Sequence, residues 1–257
     1  MGEKSLDADR KVPPLPPLYR IGKRLRHRIS AVIARSSTVG DTPVYDPVLF
    51  RWVAGLEAQW EAIRDEVAAL LARDAAIPPL ADISPDHRRI APPGKWKSFF
   101  LIGYGYRLEE NCRRCPATAA AVAGIPGLNS AFFSILAPGA HITRHRGVTK
   151  AILTAHLGLV VPAKRAACRM QVADEMLLWE EGKVLIFDDT DYHEVWNDTE
   201  DMRVILLLQF RRPTRLLGRI VGAIFLEGVR RSRFVQDARA SLGDWEKAMQ
   251  KLERDEP

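Results

Sequence analysis

The stretch from residue 130 to residue 212 constrains the fold of this chain more than any other. It consists of short apolar and β-branched segments interrupted by Gly, Pro and Asp. In order they read SAFFSILAPG, AILTAHLGLVVP, CRMQVAD, MLLWEEGKVLIFDD, HEVWND and MRVILLLQFRRP. Short strands separated by turn residues are typical of a β-sandwich or a barrel of the jelly-roll kind. We therefore expect a mainly β core.

Helical patterns flank this β-rich stretch on both sides. The N-terminus is charged and then Pro-rich, which favours an extended, disordered leader. Further along, Asp46-Pro47 is expected to open a long amphipathic helix. The predicted organisation is a leader at 1–18, a helical flank at 19–90, the β domain at 91–213 and basic amphipathic helices at 214–257.

The composition is that of a globular protein rather than a membrane-spanning one. No apolar run approaches the roughly 20 residues that cross a bilayer, and no secretory signal is visible, so we expect a cytoplasmic protein. The three cysteines form a poor disulfide framework. Cys112 and Cys115 form one CxxC without a second ligand pair for zinc, and Cys168 stands apart. Structural or incidental cysteines are the favoured interpretation.

The net charge of +6 is concentrated in two arginine-rich blocks. One lies between residues 10 and 40, and the other runs from Arg211 to Arg233 with seven arginines and a single acid, Glu227. Apolar residues recur at helical spacing in the second block. A helix of this kind suits an anionic membrane surface, and it equally suits packing on its own domain with solvated arginines. Nucleic acid is not expected as a partner, because no recognised binding motif is present.

Histidines lie at the edges of the predicted strands. His145 follows a turn-rich entry to a strand, and His193 follows VLIFDDTDY, where a strand ends. Imidazoles at such strand ends can converge at the mouth of a barrel, and neutral imidazole suits iron, zinc and copper. The lack of a supporting cysteine argues against structural zinc. The pattern therefore favours a metal site in the β domain.

At this point the sequence resembles the aspartyl/asparaginyl β-hydroxylase family of Fe(II)- and 2-oxoglutarate-dependent dioxygenases. The resemblance covers about residues 95–213, and its motifs are FSILAPGAH, HRG, HLGLVVP, WEEGKVLIFDD and HEVWND. It implies a double-stranded β-helix, cupin-like core that holds iron and uses 2-oxoglutarate and O2. His145 and His193 are the implied iron ligands and the catalytic centre.

Gly147 departs from the broader superfamily, which usually places a carboxylate ligand two residues after the first histidine. Glycine has no side chain to bind a metal. The family resembled here includes members with glycine at this position and members with aspartate, and this chain is similar to the glycine type. We expect water at the vacant iron position, held by Asp188 or Asp189.

The resemblance also assigns the residues that bind 2-oxoglutarate. Arg203, ten residues after His193, corresponds to the arginine that grips the far carboxylate with two hydrogen bonds. Ser134 corresponds to its hydroxyl partner, and His156 to the histidine beside the iron-bound end of the co-substrate. An arginine on the otherwise apolar strand MRVILLLQF would be costly to bury without a carboxylate partner.

A last group is assigned to the substrate or to the surroundings of the iron. It comprises Trp96, Arg146, Gly147, Thr154, Asp188 and Asp189. Trp96 matches a tryptophan near the family's site, with core packing as the alternative. Thr154 stands where family members commonly have arginine, which weakens the case for an aspartyl substrate.

The resemblance implies an oxidoreductase. We expect it to hydroxylate an unactivated C–H bond of an aspartyl or asparaginyl substrate while 2-oxoglutarate is converted to succinate. The first alternative is hydroxylation of acyl chains in a membrane lipid, by a protein peripheral to the inner face of the membrane. The basic flanks favour that alternative, whereas Gly147 favours the prediction. A cupin-like binding protein without turnover is the second alternative. The presence of both ligand histidines and Arg203 argues against it.

Overall fold

The computed structural model of the protein describes residues 17–72, 77–84 and 89–255. Residues 1–16 of the predicted leader lie outside this description, and its last two residues begin a helix. The described helices are α1 (Pro17–Arg35), α2 (Val53–Glu57), α3 (Trp60–Ala72), α4 (Leu80–Ile83), α5 (Glu109–Arg114), α6 (Pro116–Ala123), α7 (Leu216–Arg230) and α8 (Arg233–Asp255). The described strands are β1 (Val44–Tyr45), β2 (Trp96–Gly103), β3 (Tyr106–Arg107), β4 (Leu128–Leu136), β5 (Ala140–His145), β6 (Ile152–Val160), β7 (Cys168–Val172), β8 (Glu175–Leu178), β9 (Val184–Phe187), β10 (His193–Asn197) and β11 (Arg203–Arg211).

The strands form two antiparallel sheets. The larger has the order β1-β9-β6-β11-β4-β2-β3, and the smaller has the order β5-β10-β7-β8. Apart from β2–β3 and β7–β8, neighbouring strands are non-consecutive along the chain, because the chain crosses repeatedly between the sheets, as in a jelly roll. This topology confirms the predicted double-stranded β-helix with flanking helices.

Alternation along the strands of the larger sheet divides its side chains between two cores. Phe99, Phe133 and Leu206 belong to the cluster that includes buried residues of α2, α3 and α6. Their strand neighbours Phe100 and Phe132 belong to the other cluster, which also contains residues of the smaller sheet. Because successive residues of a strand point to opposite faces, one face meets the helices and the other faces the smaller sheet.

The N-terminal flank departs from the predicted pattern. The long helix expected from Asp46-Pro47 is wrong: a single 3-10 turn over Pro47–Leu49 ends at Phe50, whose backbone is extended at φ −119° and ψ 100°. The Phe50 ring packs edge-on against Phe210 with 5.4 Å between ring centroids. This contact anchors the chain to the sheet, and helix resumes only at α2. The same flank also contributes β1, which pairs with β9.

The cysteines contribute to the cores. All three are free and buried. Cys112 and Cys115 lie in the core beneath the helices, and Cys168 lies in the core that faces the smaller sheet. Burial raises the pKa of Cys115 to about 12, so its thiol stays protonated and unreactive at neutral pH.

The C-terminal helices lie outside the β domain. α7 packs against α1, and α8 contacts α4 and α5. Gly218 of α7 lies so close to Ser36 that a Cβ at residue 218 would overlap the serine side chain, which explains the glycine. None of the described helices combines the length and apolar character needed to cross a bilayer.

Candidate active site

Two histidines face each other across neighbouring strands. His145 ends β5 and His193 begins β10, and the two residues are paired in the ladder. Between this pair and the next one, Val195 with Ile142, the register shifts by one residue. Such a bulge re-aims side chains, and bulges are frequent beside active sites. The ring centroids of the two histidines lie 4.1 Å apart, and both rings line an internal cavity.

Each of these histidines is held in one tautomer. Nδ1 of His145 donates to the carbonyl oxygen of Thr143 at 2.8 Å, and Nδ1 of His193 donates to that of Asp191 at 3.0 Å. Because a carbonyl oxygen only accepts, Nδ1 carries the proton and Nε2 keeps its lone pair. Burial is the main cause that lowers the pKa of both rings, to about 4 for His145. Both rings are therefore neutral at neutral pH, the state that binds a metal.

The histidine pair lacks a third protein ligand. Among the described residues, no group of three His, Cys, Asp or Glu side chains is arranged to hold a metal ion. Imidazole nitrogen is nevertheless a good donor for iron. Two neutral rings with their Nε2 lone pairs available fit an iron ion whose remaining positions are filled by water and by a chelating co-substrate.

Asp189 occupies the space that a side chain at Gly147 would need. A Cβ built on Gly147 would lie 2.5 Å from the carboxyl carbon of Asp189. The Asp189 carboxylate accepts from Thr154 Oγ1 at 3.3 Å and from Gln209 Nε2 at 3.5 Å. Burial, followed by the nearby charge of Asp188, raises the pKa of Asp189 to about 7. A carboxyl group therefore lines the same cavity as the histidines, supplied by a residue other than 147.

Asp188 lies outside this cavity. Its carboxylate forms an ion pair with Arg212 and a second one with Lys150 at 2.9 Å, and it accepts from the backbone and hydroxyl of Thr190. These contacts fix the turn between β9 and β10. Of the two aspartates considered for the iron surroundings, the structure brings only Asp189 into the cavity.

Arg203 is a buried cation that has no anionic partner among the described residues. Its exposure is 2%, and its Nε has no hydrogen-bond partner. One amino group donates to Ser134 Oγ over a long 3.4 Å, and the guanidinium lies 4.7 Å from the ring centroid of Trp179. Burial lowers the pKa of Arg203 to about 10, so the group remains charged at neutral pH. A buried charge in a cavity without a counterion indicates a site for an anion.

Ser134 and Trp96 complete the surroundings of this cation. The indole nitrogen of Trp96 donates to Ser134 Oγ at 2.9 Å. Ser134 is 1% exposed, and on β4 it pairs with Ile205, two residues from Arg203 on the neighbouring strand. The hydroxyl is therefore oriented by the indole and lies beside the guanidinium. A carboxylate placed here would meet one cation and one hydroxyl, which fits the far end of 2-oxoglutarate.

His156 lies on β6 at the same end of the cavity. Nδ1 of His156 accepts from the indole nitrogen of Trp179 at 3.3 Å, so the ring proton of the neutral tautomer is on Nε2. Complete burial, together with the charge of Arg203, lowers the pKa of His156 well below its usual value. A neutral ring with an Nε2–H group can donate a hydrogen bond to an anion in the cavity.

Sequence reasoning missed Trp179 and Gln209. Trp179 is fully buried and opens the motif WEEGKVLIFDD, one of the motifs that carry the family resemblance. A buried indole N–H group needs a hydrogen-bond partner, so the motif contained a signal for this residue. Gln209 gave no such signal, because a single glutamine near the end of an apolar strand is unremarkable. Its role is visible only from its contact with Asp189.

The cavity has a volume of about 490 Å³ and runs along the inner face of the larger sheet. Arg203 lines one end, and Gln209, six residues further along β11, lines the other. At about 3.3 Å per strand residue, these positions are roughly 20 Å apart. The lining is mainly apolar and includes Phe100, Phe132, Ile142, Val148, Ile152, Leu207, Leu226, Val229 and Phe234. At the end marked by Gln209 it also contains polar side chains, among them Thr154 and Asp189.

Arg146 and Tyr192 lie where the cavity meets solvent. Arg146 lines the cavity and is exposed, and its guanidinium is 4.9 Å from the ring centroid of Tyr192. Arg144 contacts the same ring at the same distance. The entrance therefore carries a positive charge, whereas the wall behind it is mostly apolar.

The same chain region matches a known family. Residues 57–213, more than half of the 257 residues, match the sequence profile described as aspartyl/asparaginyl beta-hydroxylase. This match begins upstream of residue 95, where the resemblance carried by the motifs starts. It therefore takes in α3 and α4 as well as every strand of the two sheets except β1.

Individual relatives agree with this assignment. The ornithine lipid ester-linked acyl 2-hydroxylase of Rhizobium tropici is 40% identical over 209 residues, which cover 81% of this chain and 74% of that protein. Human aspartyl/asparaginyl beta-hydroxylase is 35% identical over 166 residues, which cover 63% of this chain but 21% of the human protein. Among solved structures, a prolyl hydroxylase from Trichoplax adhaerens has a TM-score of 0.44 at 14% identity, covering 80% of this chain and 97% of that one. The chain therefore belongs to the aspartyl/asparaginyl β-hydroxylase family, as its motifs predicted.

Proposed function

We propose that this protein is an Fe(II)- and 2-oxoglutarate-dependent dioxygenase that hydroxylates an acyl chain of a membrane lipid. The observation that carries the substrate class is the mainly apolar lining of the cavity that contains the histidine pair. An acyl chain offers only C–H bonds, so a pocket can bind it through area removed from water rather than through directed hydrogen bonds.

His145 and His193 would hold the iron through their Nε2 atoms. Bound iron with O2 supplies the chemistry that converts 2-oxoglutarate to succinate and carbon dioxide and places one oxygen atom in a substrate C–H bond. Asp189 lines the same cavity as the histidines and would accept a hydrogen bond from water at an iron position that the protein leaves open. Thr154 and Gln209 orient its carboxylate. Gly147 provides the space for it.

Arg203, Ser134 and His156 would hold 2-oxoglutarate. The guanidinium has a free Nε–H group in a fully buried position, and a carboxylate that accepted two hydrogen bonds from it would remove the cost of an unpaired charge. Ser134 adds a hydroxyl that Trp96 already orients. These groups exclude water from the bound carboxylate, which strengthens each contact.

The lining of the cavity favours an acyl chain over an aspartyl side chain as the substrate. An aspartyl carboxylate inside the cavity would need its own cation. Within the described part of the chain, the cations of the cavity besides Arg203 are Arg146, which is exposed at the entrance, and Arg230, which is paired with Glu227. Thr154, where many family members have arginine, is already bonded to Asp189. The rhizobial relative named for an acyl chain points the same way.

A peptidyl or small aspartyl substrate is the second candidate. The exposed cation Arg146 at the entrance favours it, because a carboxylate could bind there while the rest of the substrate enters the cavity. The human relative carries the same family name. An anionic lipid head group could form an ion pair with Arg146 equally well. We therefore prefer the lipid substrate because of the mainly apolar lining of the cavity.

The test is a product assay with purified protein, Fe(II), 2-oxoglutarate and O2. Candidate substrates are a purified ornithine lipid, a lipid A fraction and an aspartyl-containing peptide, each analysed by mass spectrometry for the gain of one oxygen atom. We expect the gain on an acyl chain, together with stoichiometric succinate. His193→Ala should abolish both, because it removes one of two iron-binding nitrogens.

His141→Ala is the matched control. His141 lies on the same strand as His145 but contacts Glu194 and Trp196 outside the cavity, so this variant should keep full activity. Oxygen gain on the peptide alone would move the assignment to the second candidate. Iron binding without succinate from any substrate would overturn the proposal in favour of a binding protein.

A further inference from the structure

Helix α7 carries an apolar face that nothing in the described structure covers. Leu216, Leu217, Ile220 and Ile224 are exposed by 61%, 62%, 48% and 70% of their surface. At 3.6 residues per turn, these positions span an arc of about 100° on one side of the helix. Gly218 and Gly222 are buried on the opposite side, against Ser36 and Ala151. The glycines thus dock the helix on the protein, and the large apolar side chains point away from it.

The same segment is strongly basic. Arg211, Arg215 and Arg219 are exposed, and none of the ion pairs within the described residues uses them. No acidic residue occurs between Arg211 and Glu227. Glu227, the acid of this helix, is already paired with Arg230 and Arg231. An exposed apolar face flanked by free arginines is complementary to an anionic lipid surface.

The helix also reaches the active-site cavity. Leu226 and Val229, in its last two turns, line that cavity, whereas the four exposed apolar residues do not. Ile224 and Leu226 are two residues apart, which places them about 200° apart around the helix. One side of α7 therefore carries the exposed apolar residues, and another side contributes to the cavity wall.

We propose that α7 docks this protein on an anionic lipid bilayer, with Leu216, Leu217, Ile220 and Ile224 inserted among the acyl chains and the arginines at the head groups. The inference rests on the proposed function, because it explains how a membrane lipid would reach the cavity. With 15 residues, α7 is too short to span a bilayer and suits an interfacial position. A second copy of this chain is the less suitable occupant, because a two-fold contact would gather unpaired arginines from both copies.

The test is flotation of the full chain with vesicles of phosphatidylcholine alone or mixed with phosphatidylglycerol. We expect binding to the mixed vesicles. The double variant Leu217→Ser/Ile224→Ser should weaken that binding by about tenfold or more, since two large apolar side chains no longer enter the bilayer. Arg215→Ser/Arg219→Ser should weaken it by about fivefold for each arginine on mixed vesicles and should have no effect on neutral ones.

Met176→Ser/Leu178→Ser is the matched control. These residues are also exposed apolar side chains, by 52% and 45%, but they lie on β8 at the edge of the smaller sheet. This variant should bind vesicles as the wild type does. None of the substituted residues lines the cavity, so every variant should keep its iron affinity and its substrate-free conversion of 2-oxoglutarate.

Substrate presentation separates this inference from the proposed function. The α7 variants should hydroxylate a short-chain, water-soluble analogue of the lipid at the wild-type rate and should lose activity only on lipid in vesicles. Equal vesicle binding by wild type and Leu217→Ser/Ile224→Ser would overturn the docking surface. The docking surface would also be overturned if the wild type were a dimer that does not bind vesicles and if the Leu217→Ser/Ile224→Ser variant were a monomer. Vesicle binding that depends on α7, without hydroxylation of any lipid, would support the surface and refute the substrate.

Discussion

The two ends of the active-site cavity are built by opposite means. At the inner end, Arg203, Ser134 and His156 are buried polar groups on the strands of the larger sheet, oriented by Trp96 and Trp179. At the outer end, apolar side chains lie beside the hydrogen-bonded group of Asp189, Thr154 and Gln209, and part of the apolar wall comes from α7, outside the β domain. The inner end offers a ligand a buried cation, whereas α7 offers it apolar surface without directed hydrogen bonds.

This difference separates the parts that a family can share from the parts that vary. A buried cation tolerates only a matching anion, because an unpaired charge is costly, so the inner end is committed to one kind of ligand. An apolar wall accepts any chain that fills it, at about 25 cal/mol for each Å² of surface removed from water. Substrate choice can therefore change through α7 while the sheet keeps the co-substrate site.

The largest expected effect comes from removing the cation of the inner end. Arg203→Met should weaken 2-oxoglutarate binding by about 10²–10⁴-fold, because two charge-assisted hydrogen bonds of about 1.5–3 kcal/mol each are lost. The protein without ligands should not lose stability, since an uncompensated buried charge is replaced by an apolar side chain of similar length. Anaerobic calorimetry with Fe(II) and denaturant unfolding measure the two quantities.

Arg203→Lys is the control for charge alone. Lysine keeps the positive charge but cannot offer two parallel hydrogen bonds, so we expect an affinity between those of the wild type and the methionine variant. If Arg203→Met bound 2-oxoglutarate like the wild type, the inner end would have to be assigned to another ligand. A large loss of stability without ligand would contradict the view that the cation awaits a counterion.

The next effect concerns Asp189, which is hydrogen-bonded to Thr154 and Gln209 at the outer end. Its pKa is raised from 3.8 to about 7, so the folded state holds a proton that the unfolded chain releases. The associated stability is fully present below about pH 3.8 and is lost as pH rises through about 7. The loss is on the order of 4 kcal/mol, at about 1.4 kcal/mol per pKa unit.

Asp189→Asn should remove this pH dependence in the metal-free protein. The asparagine variant should match the wild type at about pH 4 and become more stable than it near pH 8, because asparagine has no charge to bury. Denaturant unfolding at both pH values measures the difference. The exposed residue Asp174, changed to Asn, is the control and should leave the wild-type curve unchanged. Parallel curves for wild type and Asp189→Asn would refute the protonated carboxyl group.

The resemblance to a known family assigned Arg203, Ser134 and His156, and the structure brings these residues into one cavity. The sequence also carries a physical signal at some of these positions. An arginine in the apolar strand MRVILLLQF and histidines at strand ends conflict with the local pattern, and such conflicts mark functional residues. Strand alternation then indicates which side chains share a face. The two-sheet fold followed from the same short apolar segments, because turn residues delimit them.

The outer end could not be predicted in this way. Leu226 and Val229 look like any other residues of an amphipathic helix, and only the packing of α7 against α1 brings them to the cavity. The sequence also could not show which of Asp188 and Asp189 lines the cavity. Only the structure shows it, because neighbours in sequence point in opposite directions at the end of a strand. Likewise, the contact between Phe50 and Phe210 that interrupts the N-terminal helix joins residues far apart in the chain.

A smaller effect is expected where Gly147 and Asp189 compete for one space. Gly147→Asp should lower iron affinity by about 10–100-fold, because the new side chain displaces the carboxyl group of Asp189 from its place in the cavity. The double variant Gly147→Asp/Asp189→Gly moves the carboxylate from one residue to the other and should recover most of the affinity. Anaerobic titration with Fe(II) measures both. Unchanged affinity in the single variant would mean that Asp189 does not support the iron site.

The smallest effect tests the outer end by itself. Leu226→Ser should lower kcat/KM for a long acyl chain by about tenfold, since part of one leucine side chain no longer removes substrate surface from water. The same variant should leave 2-oxoglutarate affinity and activity on a short-chain analogue unchanged, because neither reaches α7. Leu178→Ser, an exposed leucine on β8, is the control and should change nothing. Equal losses on long and short chains would mean that α7 acts on the whole site, and the separation of the two ends would fail.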